Sequence, residues 1–306
     1  MSFTYEILEI WKRRGADNKS KNTYEMINKL LEQYCSDIVD VNSNSVFLQG
    51  SYANHTNIKE DSDIDVVILA NDVFSHNARE VLPQSKIEEF NRTYYPSDET
   101  LSNFKEKLYQ RINGKVICGK KMFLERGNKT LKFNQNNEYS EYVSVDIVPA
   151  FEYRKYNPNS VVDKDKQAEG IKIYDSRTKE YIINYPKIHK ANGEAKNQVY
   201  RTDGNYKETV RIFKQIKKHL IDTGEIHESL MPSYHLECML YNVPDNLFKK
   251  DLPKRIDAIL SWLEENLNDK FVEQHEMTRL FIDKQALCDA NMFLQHSIFL
   301  SNHWRG

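Results

Sequence analysis

The sequence predicts a mixed α/β core followed by an all-helical lobe. Short β-branched and apolar runs alternate with helical segments up to about residue 180, whereas from residue 203 onward only helical periodicity is found. Two of the strand-like runs also carry carboxylates where an uninterrupted core strand would be apolar. The expected division is 1–180 for the α/β part and 181–306 for the helical part, with a shared cleft between them.

The elements follow in order. Tyr24, Ile27, Leu30, Leu31 and Tyr34 recur at helical spacing and predict a helix over 23–34. Strands are expected at 46–50, 64–69, 116–118, 130–133 and 142–148, with a helix over 99–112. Segments 71–98 and 156–170 read as loop-rich, the second because it strings together Asn, Pro, Ser, Asp and Lys. Helices are expected at 203–220, 233–241, 252–267 and 277–300.

Composition narrows the class. The formal net charge is −2, whereas a nonspecific nucleic-acid binder is normally strongly basic, so stable DNA binding is not expected. No apolar run approaches the roughly 20 residues that span a bilayer, and the N-terminus has no apolar signal region. Cys35, Cys118, Cys238 and Cys288 are scattered without zinc or redox spacing and read as reduced thiols of a cytoplasmic protein.

The chemistry lies in Gln49-Gly50-Ser51-Tyr52 and, twelve residues after Ser51, in Asp63-Ile64-Asp65-Val66. Residues i and i+2 of a strand share a face, so Asp63 and Asp65 project together while Ile64 and Val66 enter the core. Two carboxylates this close repel unless a cation lies between them. All-oxygen ligands suit Mg²⁺ or Mn²⁺, which commonly take one or two carboxylates plus substrate phosphates. The Gly-Ser turn offers backbone N–H groups and a hydroxyl for phosphate. Asp146, inside Val145-Asp146-Ile147-Val148, supplies the third carboxylate that a two-metal site needs. The competing readings are a solvated loop pair for Asp63 and Asp65 and an exposed edge face for Asp146.

A Gly-Ser turn, an Asp-x-Asp pair and a distant strand Asp resemble the polymerase-β-like nucleotidyltransferases. Tyr185-Pro186-Lys187, Lys196-Asn197, Val210-Arg211-Ile212-Phe213-Lys214 and Pro232-Ser233-Tyr234-His235-Leu236-Glu237-Cys238 narrow the resemblance to the bacterial cGAS/DncV-like nucleotidyltransferases, or CD-NTases, over about residues 46–243. The resemblance implies a polymerase-β-like core with a mixed sheet, a C-terminal helical lobe and an active site in the cleft between them. It implies two Mg²⁺ or Mn²⁺ ions on Asp63, Asp65 and Asp146. It puts Lys214 and Ser233 on the triphosphate and Tyr234 on a nucleobase, with Gln49, Gly50, Ser51, Lys196 and Asn197 as further nucleotide contacts.

At 100° per residue, Lys207, Arg211, Lys214 and Lys218 fall within about 60° of one another and make a basic stripe, whose alternative is a solvated face. The expected reaction joins NTPs (ATP with UTP, GTP or CTP) into a cyclic di- or oligonucleotide with release of pyrophosphate. The resemblance makes that product a second messenger for an effector protein in anti-phage signalling, made by a monomer. Transfer to another acceptor (an RNA 3′ end, a small molecule or a protein) is the alternative. A catalytically silent nucleotide-binding partner is a further one, against which the complete set of carboxylates argues.

Overall fold

The computed structural model describes residues 3–15, 18–58, 63–117, 119–134, 141–159 and 168–304. Asp61 and Ser62 beside the acidic motif, Cys118, residues 160–167 of the polar segment, and Arg305 and Gly306 lie outside the described residues. The chain begins with α1 (Tyr5–Trp11), α2 (Asn18–Tyr34), β1 (Val46–Gln49), α3 (Gly50–Asn54) and β2 (Ile64–His76). Next come α4 (Ala78–Val81), α5 (Gln84–Thr93), α6 (Leu101–Ile112), β3 (Val116–Ile117), β4 (Lys120–Lys121), β5 (Glu125–Arg126) and β6 (Leu131–Phe133). Then follow β7 (Val145–Lys155), β8 (Ala168–Asp175), β9 (Glu180–Asn184), α7 (Pro186–Lys196), α8 (Val199–Thr202) and α9 (Tyr206–Asp222). The last are α10 (Ser233–Tyr241), α11 (Asp245–Phe248), α12 (Lys254–Asn266) and α13 (Lys284–Asn302).

The residues form two compact units. One comprises Asp17–Tyr52 and Asp61–Lys187, the other Met1–Ala16, Ala53–Glu60 and Ile188–Gly306. Helix α1 and residues 53–60 thus group with the helical unit, on the other side of a cut near residue 180. The reason is packing: Phe3, Leu8 and Trp11 are buried in the same apolar cluster as α9, α10, α12 and α13.

In the first unit the sheet runs β1-β2-β7-β6-β5, with β8 paired to β7 and β9 to β8. Among the described residues β2 and β7 are the parallel pair and the other pairings are antiparallel, so the sheet is mixed. Alternation along the strands sorts its two faces. Ile64, Val66, Ile68, Val145 and Ile147 point to one side and join Met26, Ile27, Leu30 and Leu31 of α2 and Phe104, Leu108 and Ile112 of α6 in the main core. Val67, Leu69, Val148 and Ala150 point to the other side and pack with Ile171 and Ile173. Hydrogen bonds fix α2 to its strands: Tyr24 donates from its hydroxyl to the Val46 carbonyl at 2.6 Å, and Thr23 accepts from the Val143 amide at 2.9 Å.

Segment 71–98, expected to be loop-rich, is mostly regular structure up to Thr93. β2 continues to His76, and α4 and α5 bury Ala78, Leu82 and Phe90 against Tyr156. Strands β8 and β9 and helix α7 were not expected, and α13 begins at Lys284 rather than 277.

Candidate active site

The carboxylates converge because of register. Antiparallel pairing sets Gln49 opposite Asp65, and parallel pairing sets Asp65 beside Asp146. Strands are about 4.8 Å apart, so Asp65 and Asp146 share one face as nearest neighbours. That face is the one carrying Val67 and Val148, as the alternation predicts. Asp63 stands exposed immediately before β2.

The charge on this face is concentrated. Burial, then Asp146, then Asp63 push the Asp65 carboxyl up to about 7, against Lys132. Lys132, opposite Asp146 on β6, brings its ammonium to 3.4 Å from Asp146 Oδ1. Gln49 adds a buried side-chain oxygen with no hydrogen-bond partner. A half-buried pair of hard oxygen ligands whose mutual repulsion raises a pKa fits a divalent cation. Among the described residues no three His, Cys, Asp or Glu side chains form a closed cage. An open pair matches Mg²⁺, which keeps waters and takes ligands from substrate phosphates.

Gly50 is required where it stands. Its φ is +71°, and an added Cβ would lie 2.6 Å from Asp65 Oδ2. The turn therefore passes directly over the carboxylate, and half-buried Ser51 follows it.

The second unit holds the other five candidates, Lys196, Asn197, Lys214, Ser233 and Tyr234. Lys196 is buried at the end of α7. Its ammonium donates to the Val243 carbonyl and to Asp245 Oδ1, both at 2.8 Å, and lies 5.1–5.7 Å from the ring centres of Phe248, Tyr241 and Tyr206. It ties α7 to the segment leading into α11. Asn197 accepts from the Lys207 amide at 2.9 Å and so satisfies a free N–H in the first turn of α9. Lys214 is buried, and its ammonium donates to the Thr56 hydroxyl at 3.0 Å and carbonyl at 3.2 Å, with Glu237 Oε2 at 3.5 Å.

Two further residues of the basic stripe also have partners within the protein. Arg211 donates to the backbone carbonyls of Lys12 and His55, and Lys218 pairs with Asp222. Ser233 is exposed at the first residue of α10. Tyr234 stacks on His189, with ring centres 5.3 Å apart, and donates to Glu273 at 2.6 Å.

A nucleotidyltransferase-domain model matches residues 27–168, and a model of the cGAS/DncV-like nucleotidyltransferase C-terminal helical domain matches 191–302. A cyclic UMP-AMP synthase of Rhodothermus marinus is 36% identical, with 90% of this chain and 88% of the relative covered. A cyclic nucleotide synthase of Staphylococcus haemolyticus is 34% identical over 99% of this chain and 100% of the relative. The solved structure of the Rhodothermus marinus c-UMP-AMP synthase with Apcpp and Upnpp matches at TM-score 0.83 and 33% identity, covering 99% and 98% of the two chains. The chain belongs to the cGAS/DncV-like nucleotidyltransferases.

In this nucleotidyltransferase, sequence reasoning overlooked two charged residues beside the candidates. Lys132 sits in Leu131-Lys132-Phe133, where strand alternation alone sets it on the Asp146 face. Glu237 is an acid inside the apolar run Leu236 to Leu240, and a buried acid in such a run signals partners. Lys172 donates to Ser75 at 3.1 Å, and Arg154 makes a two-fold contact with Glu152. Among the described residues no helix is long and apolar enough to cross a membrane.

Proposed function

We propose that this nucleotidyltransferase condenses two NTPs into a cyclic dinucleotide, and that ATP with UTP is the pair to test first. The observation that carries the reading is the in-register pair Asp65 and Asp146 beneath the Gly50-Ser51 turn, in a chain that matches a cyclic UMP-AMP synthase over nine tenths of its length. Gly50 and Ser51 hold the β- and γ-phosphates of the donor. A ribose hydroxyl of the acceptor attacks the α-phosphorus in line; the new P–O bond forms as the bond to pyrophosphate breaks, and Asp146 is the candidate acceptor of the hydroxyl proton. A second transfer of the same kind closes the ring. Mg²⁺ or Mn²⁺ on Asp65 and Asp146, with Asp63 alongside, supplies charge neutralisation for the phosphates when bound. Ser233, exposed at the start of α10, is assigned to phosphate and Tyr234 to base stacking, worth about 1–3 kcal/mol per base. The product serves as a second messenger for an effector protein in anti-phage signalling, in the cytoplasm.

The test is incubation with all four NTPs and Mg²⁺ or Mn²⁺, read by mass spectrometry beside Asp65→Asn/Asp146→Asn. The expected result is a phosphatase-resistant cyclic product that names its bases and is absent from the double variant. Bound NTP without product, with turnover only on adding an RNA 3′ end or a small-molecule acceptor, would reassign the enzyme to that acceptor.

A further inference from the structure

Four side chains from three segments converge on one buried carboxylate. Glu237 Oε1 accepts from Asn54 Nδ2 at 3.1 Å and lies 3.2 Å from His189 Nε2. Glu237 Oε2 accepts from the Thr56 hydroxyl at 3.0 Å and has the Lys214 ammonium at 3.5 Å. Glu237, Lys214, His189, Asn54 and Thr56 are all buried. His189 Nδ1 is buried without a partner, which favours the tautomer carrying its proton on Nε2, toward Glu237. Burial works against the charge of Glu237, yet Lys214 and the His189 hydrogen bond hold its carboxyl down at about 2.

The held segment matters more than the pair. Asn54 closes the five-residue helix that Gly50 and Ser51 open. His55 follows in the left-handed region at φ 59°, a conformation that costs a non-glycine residue of order 1–3 kcal/mol unless its surroundings impose it. Arg211 imposes it by donating to the His55 carbonyl at 2.7 Å. Thr56 is gripped twice, by Glu237 and by Lys214. Three consecutive residues on the exit side of the phosphate turn are thus fixed one by one. An apolar replacement of a buried ion pair is often neutral or stabilising, so stability alone gives little reason to keep the charges.

We propose that Glu237 is a positioning residue for nucleotidyl transfer: it fixes residues 54–56 and thereby the stance of the Gly50-Ser51 turn, without touching substrate. This rests on the assignment of that turn to the donor phosphates. An interaction that binds ground state and transition state alike changes KM and leaves kcat. Glu237→Gln keeps the shape but loses the charge and one acceptor, and it is expected to raise KM for NTP about tenfold, or about 1.4 kcal/mol, with kcat within about threefold. The Kd of a non-hydrolysable α,β-methylene triphosphate, measured calorimetrically with Mg²⁺, should rise in parallel. Thr56→Val removes the hydroxyl between Glu237 and Lys214 with little change in volume and keeps the test open if Glu237→Gln misfolds; it should raise KM and Kd in the same direction, and Thr56→Ser should restore both. Unchanged KM and Kd in folded variants, with only the melting temperature lowered, would overturn the proposal, as would a triphosphate analogue that does not bind the wild type. A wild type that binds the analogue but forms no cyclic product would sink the reading of function while the binding comparison still decides on Glu237.

Discussion

Gly50 shows how little freedom the site allows. A Cβ there meets Asp65 Oδ2 at 2.6 Å, and the backbone is left-handed at φ +71°. Gly50→Ala should cost about 1–2 kcal/mol of stability for the conformation. It should lower kcat/KM by about 100-fold or more, because small displacements of reacting groups are expensive. Steady-state kinetics beside a thermal melt separate the two; a fall in melting temperature with kcat/KM intact would remove Gly50 from the site. The second residue-scale consequence concerns pH. Burial, Asp146 and Asp63 hold Asp65 near 7, above its ordinary 3.8. The fold thus keeps a proton that the unfolded chain has lost, so this contribution to stability is complete below about 3.8 and is lost as pH rises through about 7. A divalent cation competes with the same proton. Its affinity should weaken as pH falls below about 7, and binding at pH 6.5 should release about 0.8 proton. Calorimetry in buffers of different ionisation enthalpy reads that number, and Asp65→Asn should abolish it. The meeting of the Gly50 turn with Asp65 was legible in the sequence because turn chemistry and strand alternation are local. The partners of Lys214 were not, since Thr56 lies 158 residues away.

At the scale of elements, periodicity located what one amphipathic face defines. Helix α10 begins and ends where the spacing put it, and α2, α6, α9 and α12 differ only at their ends. Strands β8 and β9 escaped because the polar stretch before them masked the start of an alternating run, Ala168 to Asp175. Helix α7 escaped because its Pro, Gly and three Lys give a weak apolar stripe. Lys196 and Asn197, expected as nucleotide contacts, also join α7 to the approaches to α11 and α9. Burial lowers the Lys196 pKa, while the hydrogen bond and charge of Asp245 support the ammonium. Lys196→Met should keep the volume while leaving the Val243 carbonyl without its donor, for a loss of about 1–3 kcal/mol. KM for NTP should stay within about twofold. A large rise in KM at unchanged stability would instead return Lys196 to the nucleotide.

For the whole molecule, the decisive fact is that the chain visits its helical unit three times. Local periodicity cannot show this, because the contacts that decide it join opposite ends of the sequence. Phe3 and Trp11 set their rings 5.2 and 5.3 Å from that of Trp304, and Trp11 lies 6.2 Å from His219. Residues 53–60 bring Asn54 and Thr56 to Glu237. A fragment of residues 188–306 would keep α8 to α13 and nearly all of α7, yet lose both insertions. Removing a buried Phe or Trp side chain costs about 3–5 kcal/mol each, against a total stability of about 5–15 kcal/mol for a domain. Glu237 and Lys214 would also lose the Asn54 and Thr56 groups that share their burial, which adds unsatisfied polar atoms to the deficit. The fragment should therefore show helical far-ultraviolet circular dichroism without a cooperative melt or dispersed amide resonances. Adding a separate peptide for α1 should leave that unchanged, because residues 53–60 would still be missing. A cooperative transition in the bare fragment would mean that residues 188–306 close their own core, and that a single cut near residue 180 describes this chain after all.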